Sequence, residues 1–316
     1  MRMLPAPIAE AIKGWLAAGE IEVFFGYEPG PTGLRATPAF ARTPEEVDRL
    51  IWDATCEGNL AVFLPKYKGR KVGLMAKGCD GRAIVGLLQE DQIQRENLRI
   101  VGVSCPGVID PRKAAARLGL FLDELDGATL DTDHLTVEGQ EIPLGEALYD
   151  QCLACTQHAP SLYDVLLGEP IAPQEPAVDP YAAVHEMETL SDDERWARFS
   201  AEVSRCNLCY ACRNACPLCY CTVCFADRTA PKWANPSVAE EDKQFFQVMR
   251  IFHLAGRCVG CGACSRACPQ GVNLRLFLDK LRLDAVELFD HEAGVDPEDR
   301  PPLRAYRPDD YNAFVM

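Results

Sequence analysis

The stretch Cys206-Asn-Leu-Cys-Tyr-Ala-Cys-Arg-Asn-Ala-Cys-Pro-Leu-Cys-Tyr-Cys-Thr-Val-Cys224 sets seven cysteines in nineteen positions. Its first four, Cys206, Cys209, Cys212 and Cys216 before Pro217, follow C-x2-C-x2-C-x3-C-P, and Cys258, Cys261, Cys264 and Cys268 before Pro269 repeat that spacing. Three thiolates this close wrap one side of a 4Fe-4S cubane, while the proline turns the fourth toward a neighbouring one. The expected ligand sets are therefore crossed. Cys206, Cys209, Cys212 and Cys268 hold one cluster, and Cys258, Cys261, Cys264 and Cys216 the other. Four cysteines also bind tetrahedral zinc, but zinc sites usually pair two C-x2-C knuckles and need no crossing ligand. The doubled spacing thus points to a small α+β ferredoxin-like domain with two clusters, built for electron transfer.

Cys219, Cys221 and Cys224 are surplus to that arrangement. They read either as buried thiols that tune the cluster potential or as three ligands of a further cubane lacking its fourth. Five more cysteines lie N-terminal: Cys56, Cys79, Cys105 and the knuckle Cys152-Leu-Ala-Cys155. Cys105 follows a strand end, where α/β sheets place their ligands. Four of these five would make another cluster. The total of sixteen cysteines equals four sets of four if a leftover N-terminal thiol joins the Cys219 group.

The chain has 316 residues, enough for two domains with real cores and no disulfide staples. Clustered cysteines suit metal in a reducing compartment better than disulfides. No leader-like or membrane-spanning apolar run occurs, so a cytoplasmic location is expected. Lys plus Arg number 32 against 47 Asp plus Glu, a net charge of −15 that disfavours nucleic acid and anionic membrane as partners.

Apolar runs at Glu22-Val-Phe-Phe-Gly, Leu60-Ala-Val-Phe, Val72-Gly-Leu-Met-Ala and Arg99-Ile-Val-Gly-Val read as short buried strands, with a helix from Arg82 between the last two. Strand, helix, strand at this spacing implies a parallel α/β sheet. The Pro- and acid-rich segment 168–193 reads as a connection. The boundaries expected are 1–185 for an α/β domain, 186–290 for the ferredoxin-like domain with flanking helices, and 291–316 for an extended tail whose aromatics dock on a partner or on its own domain. Ser191-Asp-Asp-Glu194 reads as a capping box opening a helix with Trp196, Phe199 and Val203 on one face. A second box, Ser237-Val-Ala-Glu240, opens a helix through Phe245, Val248, Met249 and Phe252, closed by Gly256 just before Cys258.

Between strand and helix lies Lys77-Gly78-Cys79-Asp80-Gly81-Arg82. Its glycines, helix N-terminus and two cations suit a cofactor phosphate, and they suit a plain tight turn equally. It is neither a dinucleotide fingerprint nor a Walker loop. Lys77-Gly-Cys-Asp with its helix, Val101-Gly-Val-Ser-Cys105, Cys152-x-x-Cys155, Tyr163-Asp and Leu167-Gly-Glu, taken in order, resemble the β-subunit family of deazaflavin-coenzyme (factor 420) hydrogenases and formate dehydrogenases. The block Cys-x-x-Cys-Tyr-Ala-Cys-Arg-x-x-Cys-Pro-x-Cys-Tyr-Cys is similar to the bacterial branch that accompanies heterodisulfide-reductase-like complexes. The likeness runs from about Trp52 to Leu274.

The resemblance implies an N-terminal domain that binds FAD beside a 4Fe-4S cluster held by Cys79, Cys105, Cys152 and Cys155. The flavin would exchange hydride with a soluble carrier and pass single electrons to the clusters of a larger redox complex. This chain departs from the pattern in carrying Gly78 where the family has proline, in placing the ferredoxin block C-terminally, and in its additional Cys56 and Cys219 group. Deazaflavin, a nicotinamide or no soluble carrier all fit. The alternative is a flavin-free subunit wiring a catalytic partner to its acceptor. His158, just past the knuckle, reads as structural before catalytic.

Overall fold

The computed structural model describes residues 3–304 except Thr132, Pro170 and Pro236. Most of the aromatic tail, residues 305–316, lies outside the described residues. Two compact units emerge, one of Met1–Gly81 with Ile93–Val178 and one of Arg82–Gln92 with Asp179–Met316. The division falls inside the proline-rich connection, but a helical segment from the N-terminal half goes with the second unit.

In the first unit, helix α1 (Ala6–Ala17) precedes strands β1 (Val23–Pro29), β2 (Ala36–Ala41), β3 (Val72–Ala76) and β4 (Leu98–Val103). Helix α2 (Gly78–Gln89) starts between β3 and β4. After β4 come α3 (Pro111–Leu118), a small antiparallel sheet of β5 (Thr129–Leu130), β6 (His134–Val137) and β7 (Gln140–Pro143), the short turns α4 (Leu144–Ala147) and α5 (Asp150–Leu153), and β8 (Val165–Leu167). The main sheet has the order β2-β1-β3-β4-β8, parallel except for the β1–β2 hairpin at its edge. Parallel strands are covered on both faces, which is why β3 is buried at every position and reads as an unbroken apolar run. Leu60-Ala-Val-Phe is not a strand. It belongs to a 3-10 helix, Leu60–Tyr67, capped by the Asn59 side chain, which accepts from Ala61 N at 3.1 Å. Four apolar residues carry no readable period, and the cap together with Pro65 decides for the tight turn.

The β3–α2 junction is knitted by Asp80, which has no exposed surface. Its carboxylate accepts from Leu60 N at 2.7 Å and Lys77 N at 2.9 Å, and pairs with Lys77 Nζ at 2.9 Å. The ammonium also donates to Gly58 O at 2.7 Å and to the Tyr27 hydroxyl, and lies 4.8 Å from the Tyr27 ring centroid. Burial by itself would lower the Lys77 pKa, but the fields of Asp80, Tyr27 and Cys79 hold it well above the ordinary lysine value.

In the second unit, α6 (Ala182–Glu188), α7 (Asp192–Ser204), α8 (Ala211–Asn214), α9 (Glu240–Phe252), α10 (Ala263–Arg266) and α11 (Leu274–Phe289) follow one another. No strand occurs among its described residues, so the α+β expectation gives way to a helical frame. The reason is local: each cysteine run leads into helices rather than hairpin turns. Helix α9 packs on α7 and α11, and α8 meets α10. The Ser191–Glu194 capping box forms, with Ser191 N donating to Glu194 Oε2 at 2.9 Å and Glu194 N to Ser191 Oγ at 3.4 Å. Ser237 caps nothing: its hydroxyl accepts from Ala239 N at 3.2 Å and bonds Asp242, and the helix starts at Glu240.

The buried face of α9 is Phe246, Gln247, Arg250 and Ile251, whereas Phe245 is 37% and Phe252 60% exposed, so the helix buries the face opposite its aromatic 245–252 pair. Trp196 is also exposed and leans on the buried Phe199 at 5.3 Å. Residues 291–304 fold back within this unit instead of extending, His291 bonding Asp299 at 2.6 Å and Gly256 O at 2.8 Å. Among the described residues, no helix is long and apolar enough to cross a membrane.

A Cβ on Gly78 would lie 1.8 Å from Gln157 O, and one on Gly81 2.4 Å from Pro160 Cβ, whereas Gly145 has open space. Gly78→Ala should therefore cost ~3 kcal/mol or more, read as a lowered unfolding midpoint, while Gly145→Ala stays within ~1 kcal/mol of the parent. Asp80→Asn, which strands a buried ammonium, should cost about 3–5 kcal/mol by the same measurement.

Candidate metal centres

The two cysteine runs repeat in conformation as well as in spacing. Leu208 and Tyr210 adopt left-handed φ of 54° and 60°, and their equivalents Gly260 and Gly262 adopt 67° and 69°. Each run thus breaks its extended course at the same two positions, between its first and third cysteines. The short helices that follow open alike: Arg213 N and Asn214 N bond Tyr210 O, both at 3.0 Å, and Ser265 N and Arg266 N bond Gly262 O, both at 3.1 Å. The fourth cysteine is set the same way, Cys216 N on Arg213 O at 3.3 Å and Cys268 N on Ser265 O at 3.2 Å.

The thiols that share an electrostatic neighbourhood do not sort by run. Cys212 senses Cys264 of the second run first, then Cys206 of its own run and Cys268. Cys261 senses Cys264 and also Cys216 of the first, and Cys258 senses Cys264. Burial pushes the thiols up, Cys258 to about 12 and Cys212 and Cys261 to about 11. Cys209 alone among these eight is exposed.

Several donors surround the thiols. Cys206 Sγ accepts from Leu208 N and from Gln247 Nε2, each at 3.4 Å, and Cys268 Sγ accepts from Val272 N at 3.4 Å. Arg266 donates to Cys261 O at 2.7 Å, and Arg282 adds a cationic field at Cys258 while paired with Asp279 at 2.7 Å. Arg250, 2% exposed, donates to Cys212 O at 3.0 Å. Gln247 and Arg250 sit three residues apart on α9, and an apolar-stripe reading passes over both. Their signal was a polar pair at helical spacing on a helix leading into a cysteine run.

Of the surplus group, Cys219 turns toward the dicluster region: its N–H bonds Cys216 O at 3.2 Å and the two thiols hydrogen-bond, which lowers Cys219 and raises Cys216. Cys219 also lies in the field of Cys224, while Cys221 is exposed. Cys219 occupies the repeat position of Gly271, whose N–H bonds Cys268 O at 3.2 Å.

In the first unit, Cys105 senses Cys152, Cys155 and Lys77, and Cys56 senses Cys105 and Lys77. Burial raises Cys56 and Cys105 to about 12 each. The knuckle is anchored by Val108 N to Cys152 Sγ at 3.4 Å and by Cys155 Sγ to Gln157 O at 3.3 Å. His158 is structural, its Nδ1 3.0 Å from Cys105 O and its carbonyl accepting from Cys105 N at 2.8 Å. Cys79 stands on the first turn of α2, in the field of Lys77.

Residues 77–82 are tightly engaged within the protein. Lys77 and Asp80 are 3% and 0% exposed and satisfy each other. The glycines serve close packing, with Gln157 at Gly78 and Pro160 at Gly81. Arg82 belongs to the second unit, donating to Ala293 O at 2.9 Å and pairing with Glu292 at 3.2 Å.

Residues 202–272 match the family described as a 4Fe-4S dicluster domain. The chain is similar to the F420-dependent formate dehydrogenase subunit β of Methanocaldococcus jannaschii, 24% identical over 328 residues that cover 84% of this chain and 85% of the relative. It is 22% identical over 362 residues to the F420-dependent formate dehydrogenase 1 subunit β of Methanococcus maripaludis, covering 94% and 92%. A chain in the xenon-derivatised F420-reducing NiFe hydrogenase complex from Methanosarcina barkeri shares 15% identity at a TM-score of 0.42, covering 64% of this chain and 74% of that one. A mixed α/β sheet region is thus joined in one chain to a 4Fe-4S dicluster domain around residues 202–272.

Proposed function

We propose that this chain is an electron-transfer subunit whose second unit holds two 4Fe-4S clusters through crossed ligand sets, Cys206, Cys209, Cys212 and Cys268 for one and Cys258, Cys261, Cys264 and Cys216 for the other. The observation that carries this reading is the repeat itself: both runs share one spacing, the same left-handed turns and the same helix openings, so each places three cysteines alike and sets a fourth just before a proline. The donor chemistry fits, because buried thiols surrounded by N–H donors and guanidinium groups suit an anionic iron–sulfur core. Such clusters supply one-electron storage at potentials set by their surroundings. The chain's own part is to bind them, exclude water and set those surroundings: Leu208 N, Val272 N and Gln247 donate to sulfur, and Arg250, Arg266 and Arg282 supply positive charge.

In the first unit, we assign a third 4Fe-4S site to Cys105, Cys152 and Cys155, completed by Cys56 or Cys79. The likeness to F420-dependent formate dehydrogenase β subunits supports a place in a formate dehydrogenase, hydrogenase or heterodisulfide-reductase-like complex, with FAD as the two-electron partner of the clusters. In residues 77–82 the charges of Lys77 and Asp80 are already paired with each other at 2.9 Å. The burial of Lys77 and Asp80 favours the second reading, a flavin-free subunit that wires a catalytic partner to its acceptor.

Anaerobically purified protein should contain about twelve iron atoms per chain, measured with sulfide and zinc; a value near eight removes the third site, and stoichiometric zinc removes the clusters. Cys268→Ala should lose the same feature as Cys206→Ala in the electron paramagnetic resonance of the reduced protein, and Cys216→Ala the same feature as Cys258→Ala. Cys268→Ala matching Cys258→Ala instead would mean that the fourth ligands do not cross. Acid release of FAD from cluster-replete protein supports the flavoprotein reading, and its absence the wire.

A further inference from the structure

Helix α9 lies along the first cysteine run on a stripe of polar side chains. Lys243 Nζ donates to Ser204 O at 2.8 Å, Gln247 Nε2 to Cys206 Sγ at 3.4 Å and Arg250 Nη2 to Cys212 O at 3.0 Å. These three residues stand at i, i+4 and i+7 on one face of the helix, and they meet the chain in its own order, from the end of α7 to the third cysteine. Gln244 fastens α9 to α7 as well, its Nε2 donating to Ser200 Oγ at 2.9 Å. Gln247 is 1% exposed, and its Oε1 is buried with no hydrogen-bond partner among the described residues. A buried amide with one end unmet costs stability that an apolar side chain of the same size would not. What its burial secures is the contact at sulfur. Cys206 Sγ also accepts from Leu208 N at 3.4 Å, a main-chain donor fixed by the turn, so Gln247 is the donor that a substitution can remove.

We propose that Gln247 is a positioning residue that tunes the first-run cluster: its N–H···S bond to Cys206 raises that cluster's midpoint potential and leaves the second-run midpoint in place. This deepens the two-cluster reading above and rests on it. Reduction adds one negative charge to a cluster, part of it on the cysteine sulfurs, and a donor aimed at sulfur stabilises the reduced form more than the oxidised one. Burial strengthens the effect, because the hydrogen bond acts in a surround of low dielectric. The amide is neutral, and the field of a dipole fades faster with distance than that of a full charge, so the effect stays with the cluster that owns Cys206. Cys206 belongs to the first-run set whichever fourth cysteine completes it. The step is the uptake of one electron from a reductant, with no bond broken and no proton moved.

The test is a dye-mediated titration of the full chain with dithionite, anaerobic and cluster-replete, followed by electron paramagnetic resonance, with Cys206→Ala identifying the first-run signal. In Gln247→Met, which keeps the volume and removes the donor, the first-run midpoint should fall and the second-run midpoint should stay in place. The reduced-to-oxidised ratio of the first-run cluster at fixed potential should drop about fivefold, ~41 mV for one electron. Gln247→Lys, which returns an N–H donor to the site, should recover that shift. An unmoved or raised first-run midpoint in iron-loaded Gln247→Met, equal shifts at the two clusters, or a Lys variant as low as the Met variant would each overturn the assignment. Loss of iron from Gln247→Met would overturn it too, because Gln247 would then hold the site together rather than set its potential. Failure of the two-cluster reading would show separately, as wild-type protein lacking two titrating centres.

Discussion

A buried thiol parts with its proton only when something positive takes the proton's place, and every cysteine cluster in this chain is built around that constraint. Burial pushes Cys56, Cys105 and Cys258 to about 12, so at neutral pH these groups are thiols rather than thiolates. The two units prepare for the resulting negative charge differently. In the first, Lys77 stands near Cys56, Cys79 and Cys105, but Asp80 at 2.9 Å cancels most of its field. In the second, Arg250 has no carboxylate partner among the described residues, and its charge is left to the sulfurs. The same chemical demand thus yields a nearly neutral surround in one unit and a cationic one in the other.

The cysteine runs also show how a repeat survives divergence. The second run meets its left-handed positions with Gly260 and Gly262, the residue for which that conformation is free of steric cost. The first run uses Leu208 and Tyr210 in the same places. Both recover the difference through packing: Leu208 is buried, and Tyr210 lies edge-on to Phe246 at 4.9 Å with the Arg213 guanidinium 4.7 Å over its ring. Cys219 replaces Gly271 in the same comparison, which explains how a surplus thiol comes to sit against Cys216.

Much of this was legible in the chain itself because spacing is a local property. The doubled dicluster spacing, the parallel strands at Val72 and Leu98 and the Ser191 capping box each depend on a few consecutive residues. What could not be read depends on long-range partners. Leu60–Phe63 carries too few residues to show a period, and its outcome hangs on Asn59 and Pro65. The phase of α9 is set by Gln247 turning to the Cys206 thiol and Arg250 to the Cys212 carbonyl, 41 and 38 residues away, so the helix buries polar groups at the expense of Phe245 and Phe252. Lys77 looked available for an anion only because Tyr27, fifty residues earlier, was not known to face it.

Helix α2 starts as part of the first unit, yet from Arg82 onward its residues belong to the second. There Glu90 pairs with Arg257 at 2.6 Å, just ahead of Cys258, and Gln89 donates to the carbonyls of Asp296 and Asp299 at 2.9 and 2.7 Å. The iron–sulfur half is consequently not a cassette. A gene fragment cut at the proline-rich connection would leave behind a helix that this half needs, so recombination could not lift the segment into another protein as a self-sufficient block. The two halves are bound to be inherited together, and any lineage that lost the sheet would have to reinvent that helix to keep the wire.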